Sequence, residues 1–205
     1  MTYLFIMSIK FDDIIKKDKL LQIIDRFEGD GFELIKTYDP IKGSPKNNKD
    51  DIINELIERS DSRIALRLKI TNYIFDFDFL LIGEYLHVYR LGARDGRLVG
   101  NAPLETEFYT RLIKVIIDLD SLLRVDRAAI YLHIQPLSLD FENMTLSTLN
   151  IFEYIYVKKD VIDKILVDEP TLRTNDKIDL ADKCLLIING MPISLIHLDL
   201  MGFGH

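Results

Sequence analysis

The chain has 205 residues, 48% of them hydrophobic and 29% charged, with a formal net charge of −7 and a sequence pI near 5.1. That balance excludes a disordered tail and argues against non-specific nucleic-acid binding, which needs a basic surface. A single cysteine, Cys184, excludes an internal disulfide and a cysteine-based zinc site, and it suits a reducing cytoplasm.

The length fits one large domain, and no linker or internal repeat divides it, so a single domain over 1–205 is expected. The first strand is expected over Thr2 to Phe11. Its apolar run lacks the positive flank and small-residue cleavage site of a signal peptide. Asp12 and Asp13 are good N-caps, predicting a helix from about Ile14 to Phe27 with Ile14, Leu20, Leu21, Ile24 and Phe27 near one face. Gly29-Asp30-Gly31 ends it, and Phe32 to Tyr38 reads as a second strand. Residues 39–51 carry two prolines and a glycine and read as a loop, followed by a short helix over Asp50 to Arg59.

Strict alternation then marks the β centre: Ile64, Leu66, Leu68 and Ile70 on one side, Phe75, Phe77 and Phe79 after a turn at Thr71-Asn72. Gly83-Glu84 is a second tight turn, leading into a strand from Tyr85 to Leu91, and Asp95-Gly96 marks a third. Pro103 opens the longest helix, about 104–123, in which Phe108, Leu112, Val115, Ile116, Leu119 and Leu123 form an apolar stripe. Strands follow at Ala129 to Ile134 and Ile151 to Val157, separated by a long polar connection, and a short helix runs from Asp160 to Val167. Asn189-Gly190 between two apolar runs predicts a closing hairpin. The pattern is that of an α+β fold: a largely antiparallel sheet with the long helix and shorter helices packed against it. No apolar run approaches the roughly 20 residues that cross a bilayer, so no membrane partner is expected.

Asp76 and Asp78 pose the main chemical question, because an Asp-x-Asp pair can ligate a divalent metal. If Thr71-Asn72 is a two-residue loop, paired positions sum to 143: Leu68 meets Phe75, Leu66 meets Phe77, and Ile64 meets Phe79. Arg67 then faces Asp76, while Asp78 has Ala65 opposite and Arg63 and Arg67 at its diagonals. Carboxylates matched to guanidinium are poor metal ligands, so the pair reads as the polar face of a hairpin. A one-residue slip would set phenylalanines against charges, which fixes the register.

His87, His133 and His197 lie in or near apolar strands, where a lone histidine is more often a hydrogen-bonded structural group than a general base. His197 and Asp199 share a strand face with no nucleophile tied to them. Gly43-Ser44-Pro45-Lys46 lacks P-loop spacing, and no metalloprotease, dinucleotide or nucleophile-elbow motif is present. Cys184 opens an apolar run, as an inert core thiol does. Tyr85, His87 and Tyr89 alternate along one strand face, and Tyr154 and Tyr156 along another, in the outward positions a protein interface uses.

Residues 101–205 carry 10 basic and 16 acidic side chains, a net of −6, so most of the charge lies in the second half. The reading preferred here is a non-enzymatic, acidic, cytoplasmic module that binds a protein, for which a basic partner is the natural match. An immunity-type inhibitor of a basic toxin or nuclease is one concrete version. Arg67, Asp76, Asp78, Tyr85, His87 and Tyr89 are its candidate contact residues, with no cofactor. The rival is a divalent-metal-dependent hydrolase or phosphoryl-transfer enzyme using Asp76 and Asp78, and a third reading is a self-assembling structural protein.

Overall fold

The structure is a computed structural model that describes residues 3–38, 53–54, 63–70, 73–93, 102–133, 135–172, 174, 176–190 and 193. Among the described residues nine strands form one sheet: β1 (Tyr3–Phe11), β2 (Phe32–Tyr38), β3 (Arg63–Ile70), β4 (Tyr73–Ile82), β5 (Tyr85–Ala93), β6 (Val125–His133), β7 (Phe152–Lys158), β8 (Asp176–Leu180) and β9 (Lys183–Ile187). Their order is β2-β3-β4-β5-β1-β6-β7-β9-β8, and every neighbouring pair is antiparallel. The helices are α1 (Lys17–Gly29), α2 (Ala102–Leu123), the single turn α3 (Leu146–Leu149) and α4 (Lys159–Asp168), with a 3-10 turn at Phe141–Asn143. The fold is α+β, as the patterning predicts.

One face of the sheet lies under α1 and α2. Leu20, Ile23, Ile24 and Phe27 of α1 and the α2 stripe pack on Phe5, Met7, Leu66, Leu68, Phe75, Phe77, Phe79, Leu86 and Val88. Phe108 is the hub of that layer: its ring lies 5.3 Å from Phe5, 4.8 Å from Phe75 and 5.9 Å from Phe77. Aromatic contacts of this kind add to the area they bury. Among the described residues, the other face carries a second core centred on β6, β7 and β9 and reaching Ile6 of β1 and Tyr89 of β5. There Ala129, Tyr131, Phe152, Ile155 and Leu186 lie under Leu139, Phe141, Leu149 and the Val161, Ile162 and Ile165 side of α4.

The β3–β4 register is the one derived above, with Leu68 opposite Phe75, Leu66 opposite Phe77 and Arg67 opposite Asp76. Gly83 supplies the positive φ, +60°, of the next turn, between the paired Ile82 and Tyr85. Several details differ from the expectation. The first helix begins at Lys17 behind Lys16, which makes no side-chain cap, because β1 holds the chain extended through Phe11. Ile14 is consequently 65% exposed and the neighbouring Ile15 is buried instead. Tyr154 and Tyr156 do not face outward: they join the α2-side core and are buried.

A strand the patterning missed, β8, pairs with β9 through a turn at Ala181-Asp182, with Ala181 at φ +53°. The strand expected after Asn189-Gly190, most of the 50–59 helix, the 39–51 loop, the Thr71-Asn72 and Asp95-Gly96 turns, His197 and Asp199 lie outside the described residues. Among the described residues no helix is long and apolar enough to cross a membrane.

Candidate functional site

Among the described residues the second face stays open over β3 and β4, and the alternation of β4 decides what is shown there. Phe75, Phe77 and Phe79 turn to the α1–α2 core, so Ile74, Asp76, Asp78, Leu80 and Ile82 turn the other way. Ile74 is 53% and Ile82 54% exposed. Arg67 forks onto Asp76, Nε to Oδ1 at 2.7 Å and Nη2 to Oδ2 at 3.1 Å, so both carboxylate oxygens accept from one guanidinium. The bond to Asp76 holds the Arg67 pKa above its ordinary value, with the charges of Asp76 and Glu33 adding to it. Lys69 closes the row at 3.5 Å from Glu33.

Asp78 stands opposite Ala65 and Tyr89 and is half-buried. The side chain of Arg63, its other expected partner, lies outside the described residues. Among the described residues no group of three or more His, Cys, Asp or Glu could hold a metal ion. Both oxygens of Asp76 are taken by Arg67.

The aromatic row on β5 is a correction to its outward placement. Tyr85 is partly exposed, but His87 and Tyr89 are 5% and 8% exposed, because this strip runs beneath the edge of the second core. The Tyr85 and His87 rings stack at 5.7 Å and 9°, and Lys10 sits 5.9 Å above Tyr85 while pairing with Asp126 at 3.3 Å. Behind them Ser8 Oγ lies 2.8 Å from His87 Nδ1 and 2.8 Å from the Tyr131 hydroxyl, which accepts the Leu137 amide at 2.8 Å. Burial lowers the His87 pKa to about 4, so the ring is neutral near pH 7.

Ser8 and Tyr131 are fully buried, so this serine–histidine contact has no access for a substrate. Neither residue was marked by sequence. The one available signal was a polar serine inside the apolar run of β1.

The remaining candidates resolve as structural groups. His133 donates from Nδ1 to the Gln135 carbonyl at 3.0 Å. Cys184 is fully buried, and that burial pushes its thiol up to about 11, which leaves little thiolate near neutral pH. Two further buried charges tie the layers together. Lys114 binds Asp30 at 2.6 Å between α1 and α2, and Lys183 binds Asp120 at 2.5 Å, where Tyr156 also donates at 2.7 Å.

No protein-family model matches the chain. No curated protein matches it either. A solved structure, the Pseudomonas aeruginosa T6SS protein PA0821, is similar over 90% of this chain and 68% of its own, at 10% identity and a TM-score of 0.37. A likeness that distant carries no argument about function.

Proposed function

We propose that this chain is a non-enzymatic protein-binding module whose contact surface is the open face of β3 and β4, flanked by Tyr85. The observation that supports it best is the mixed surface on β4: Ile74 and Ile82 are exposed at either end of a strip that displays Asp76 and Asp78. Large exposed aliphatic groups flanking a charged strip give the mixed apolar and polar surface that a protein interface uses. The net charge of −7 favours a basic partner through steering. An immunity-type inhibitor of a basic toxin or nuclease, working in a reducing cytoplasm, fits that description. His87 serves this surface from beneath by stacking on Tyr85, and with His87 and Tyr89 both buried the contact is assigned to Tyr85.

The test is an affinity capture from native lysate with the wild type beside an Asp78→Lys/Ile82→Glu variant, with thermal unfolding of both. A stoichiometric basic protein held by the wild type and lost by an equally stable variant supports the reading. Equal capture by both, or an acidic partner, overturns it.

A further inference from the structure

The buried chain behind Tyr85 has a direction, and the direction follows from one fixed donor. The Leu137 amide can only donate, so the Tyr131 oxygen accepts from it. The Tyr131 proton then goes to Ser8 Oγ, and the Ser8 proton goes to His87 Nδ1. Ser8 and Leu137 are the partners of the Tyr131 hydroxyl among the described residues, so this order leaves every proton in the chain placed. It requires His87 Nδ1 to be bare and its other nitrogen to carry the hydrogen.

Adding a proton at Nδ1 upsets this order. His87 must then donate to Ser8, and either Ser8 turns its proton to Tyr131 and orphans the Tyr131 proton, or Ser8 accepts from both neighbours and orphans its own. An orphaned donor inside a core costs about 1–3 kcal/mol. Water reaches that donor most easily by displacing the connection after β6, to which Leu137 belongs, because the other members sit on paired strands. That connection carries Leu139 and Phe141 over the second face, where they cover Tyr131 and Phe152.

We infer that His87, Ser8 and Tyr131 form a proton-operated latch that fastens the 135–149 connection to the sheet and lets it go when His87 takes up a second proton. Ionisable groups face His87 from each neighbouring strand: Tyr85 and Tyr89 on β5, Asp78 on β4 beside the apposed Leu80, Lys10 on β1 and Tyr131 on β6. Lys10 is paired with Asp126, and burial is the force that sets the His87 proton affinity. The inference stands apart from the binding role proposed above, because it concerns the covered part of the face.

Two measurements on the full chain test it. Nitrogen NMR of the wild type near pH 7 reports which ring nitrogen of His87 is protonated. The latch requires hydrogen on Nε2, and hydrogen on Nδ1 overturns it without any variant. Amide exchange, corrected for its intrinsic pH dependence, then follows the 135–149 segment from about pH 7 to about pH 5. Its protection should fall about tenfold or more, ahead of the α2-side strands, in the wild type. His87→Gln, which does not titrate, should hold its protection across that range. An equal loss in His87→Gln, or no loss in the wild type, overturns the latch.

Discussion

Two buried groups pull the stability of this protein in opposite directions with pH. His87 holds its proton in the folded state only below about 4, against 6.5 unfolded. The unfolded chain therefore gains protons first, and the stability due to neutral His87 is lost as pH falls from about 6.5 to about 4, on the order of 3 kcal/mol at most. Glu153 is the reverse case: burial, with Glu105 adding, raises its pKa to about 7 from 4.5. Its protonated form stabilises the fold fully below 4.5, and that gain is lost as pH rises through about 7.

The two effects offset each other in mildly acid solution. Denaturant unfolding across this range should show His87→Gln gaining stability on acidification and Glu153→Gln losing it more steeply than the wild type. Gly190 is a simpler case. A Cβ there would sit 2.3 Å from Cζ of Tyr154, a ring too buried to swing aside. Gly190→Ala should cost about 1–3 kcal/mol, measured by the shift of the denaturant midpoint.

The elements differ in how far they could be read from the chain alone. The β3–β4 hairpin was legible to the residue, because a two-residue loop and two alternating runs leave one register that keeps phenylalanine off charge. The α2 stripe was equally plain, being 22 residues with a repeat of three and four. Its hub makes the prediction for this scale. Phe108→Ala, at a fully buried position touching β1 and β4, should lose about 3–5 kcal/mol in equilibrium unfolding.

Short or context-driven elements were not legible. In β8, "DKIDL" places three charges in five residues, and only its pairing with β9 makes it a strand. The start of α1 was misplaced because Asp12 and Asp13 satisfy the capping preference locally, while β1 still pairs there: Phe11 donates to Glu84 and Asp12 to Arg124. The tyrosine rows failed for a related reason. Alternation says which residues share a face, but what covers that face is decided by distant chain.

Across the whole molecule, the candidate site was half visible. Arg67 and Asp76 are nine residues apart and joined by a turn, so their pairing follows from local pattern. Ser8, His87 and Tyr131 are separated by 79 and 123 positions and meet only because β1 runs between β5 and β6. At this scale the charge pairing on the open face makes a further prediction. Thermal unfolding with Mg²⁺, Mn²⁺ or Zn²⁺ should show no specific stabilisation, since both oxygens of Asp76 accept from Arg67. A rise in Tm that disappears in Asp78→Ala would point to a metal enzyme instead.

The central place of β1 has a cost in time. Its partners, β5 and β6, begin at Tyr85 and Val125, so roughly 120 residues of synthesis separate the strand from its second neighbour. At ordinary translation speeds that is on the order of 6–24 s, during which "YLFIMSIKF" has at least one hydrogen-bonding edge unclaimed. A ribosome-associated chaperone that shields this nonapeptide is therefore expected to govern how much of the newly made chain escapes aggregation.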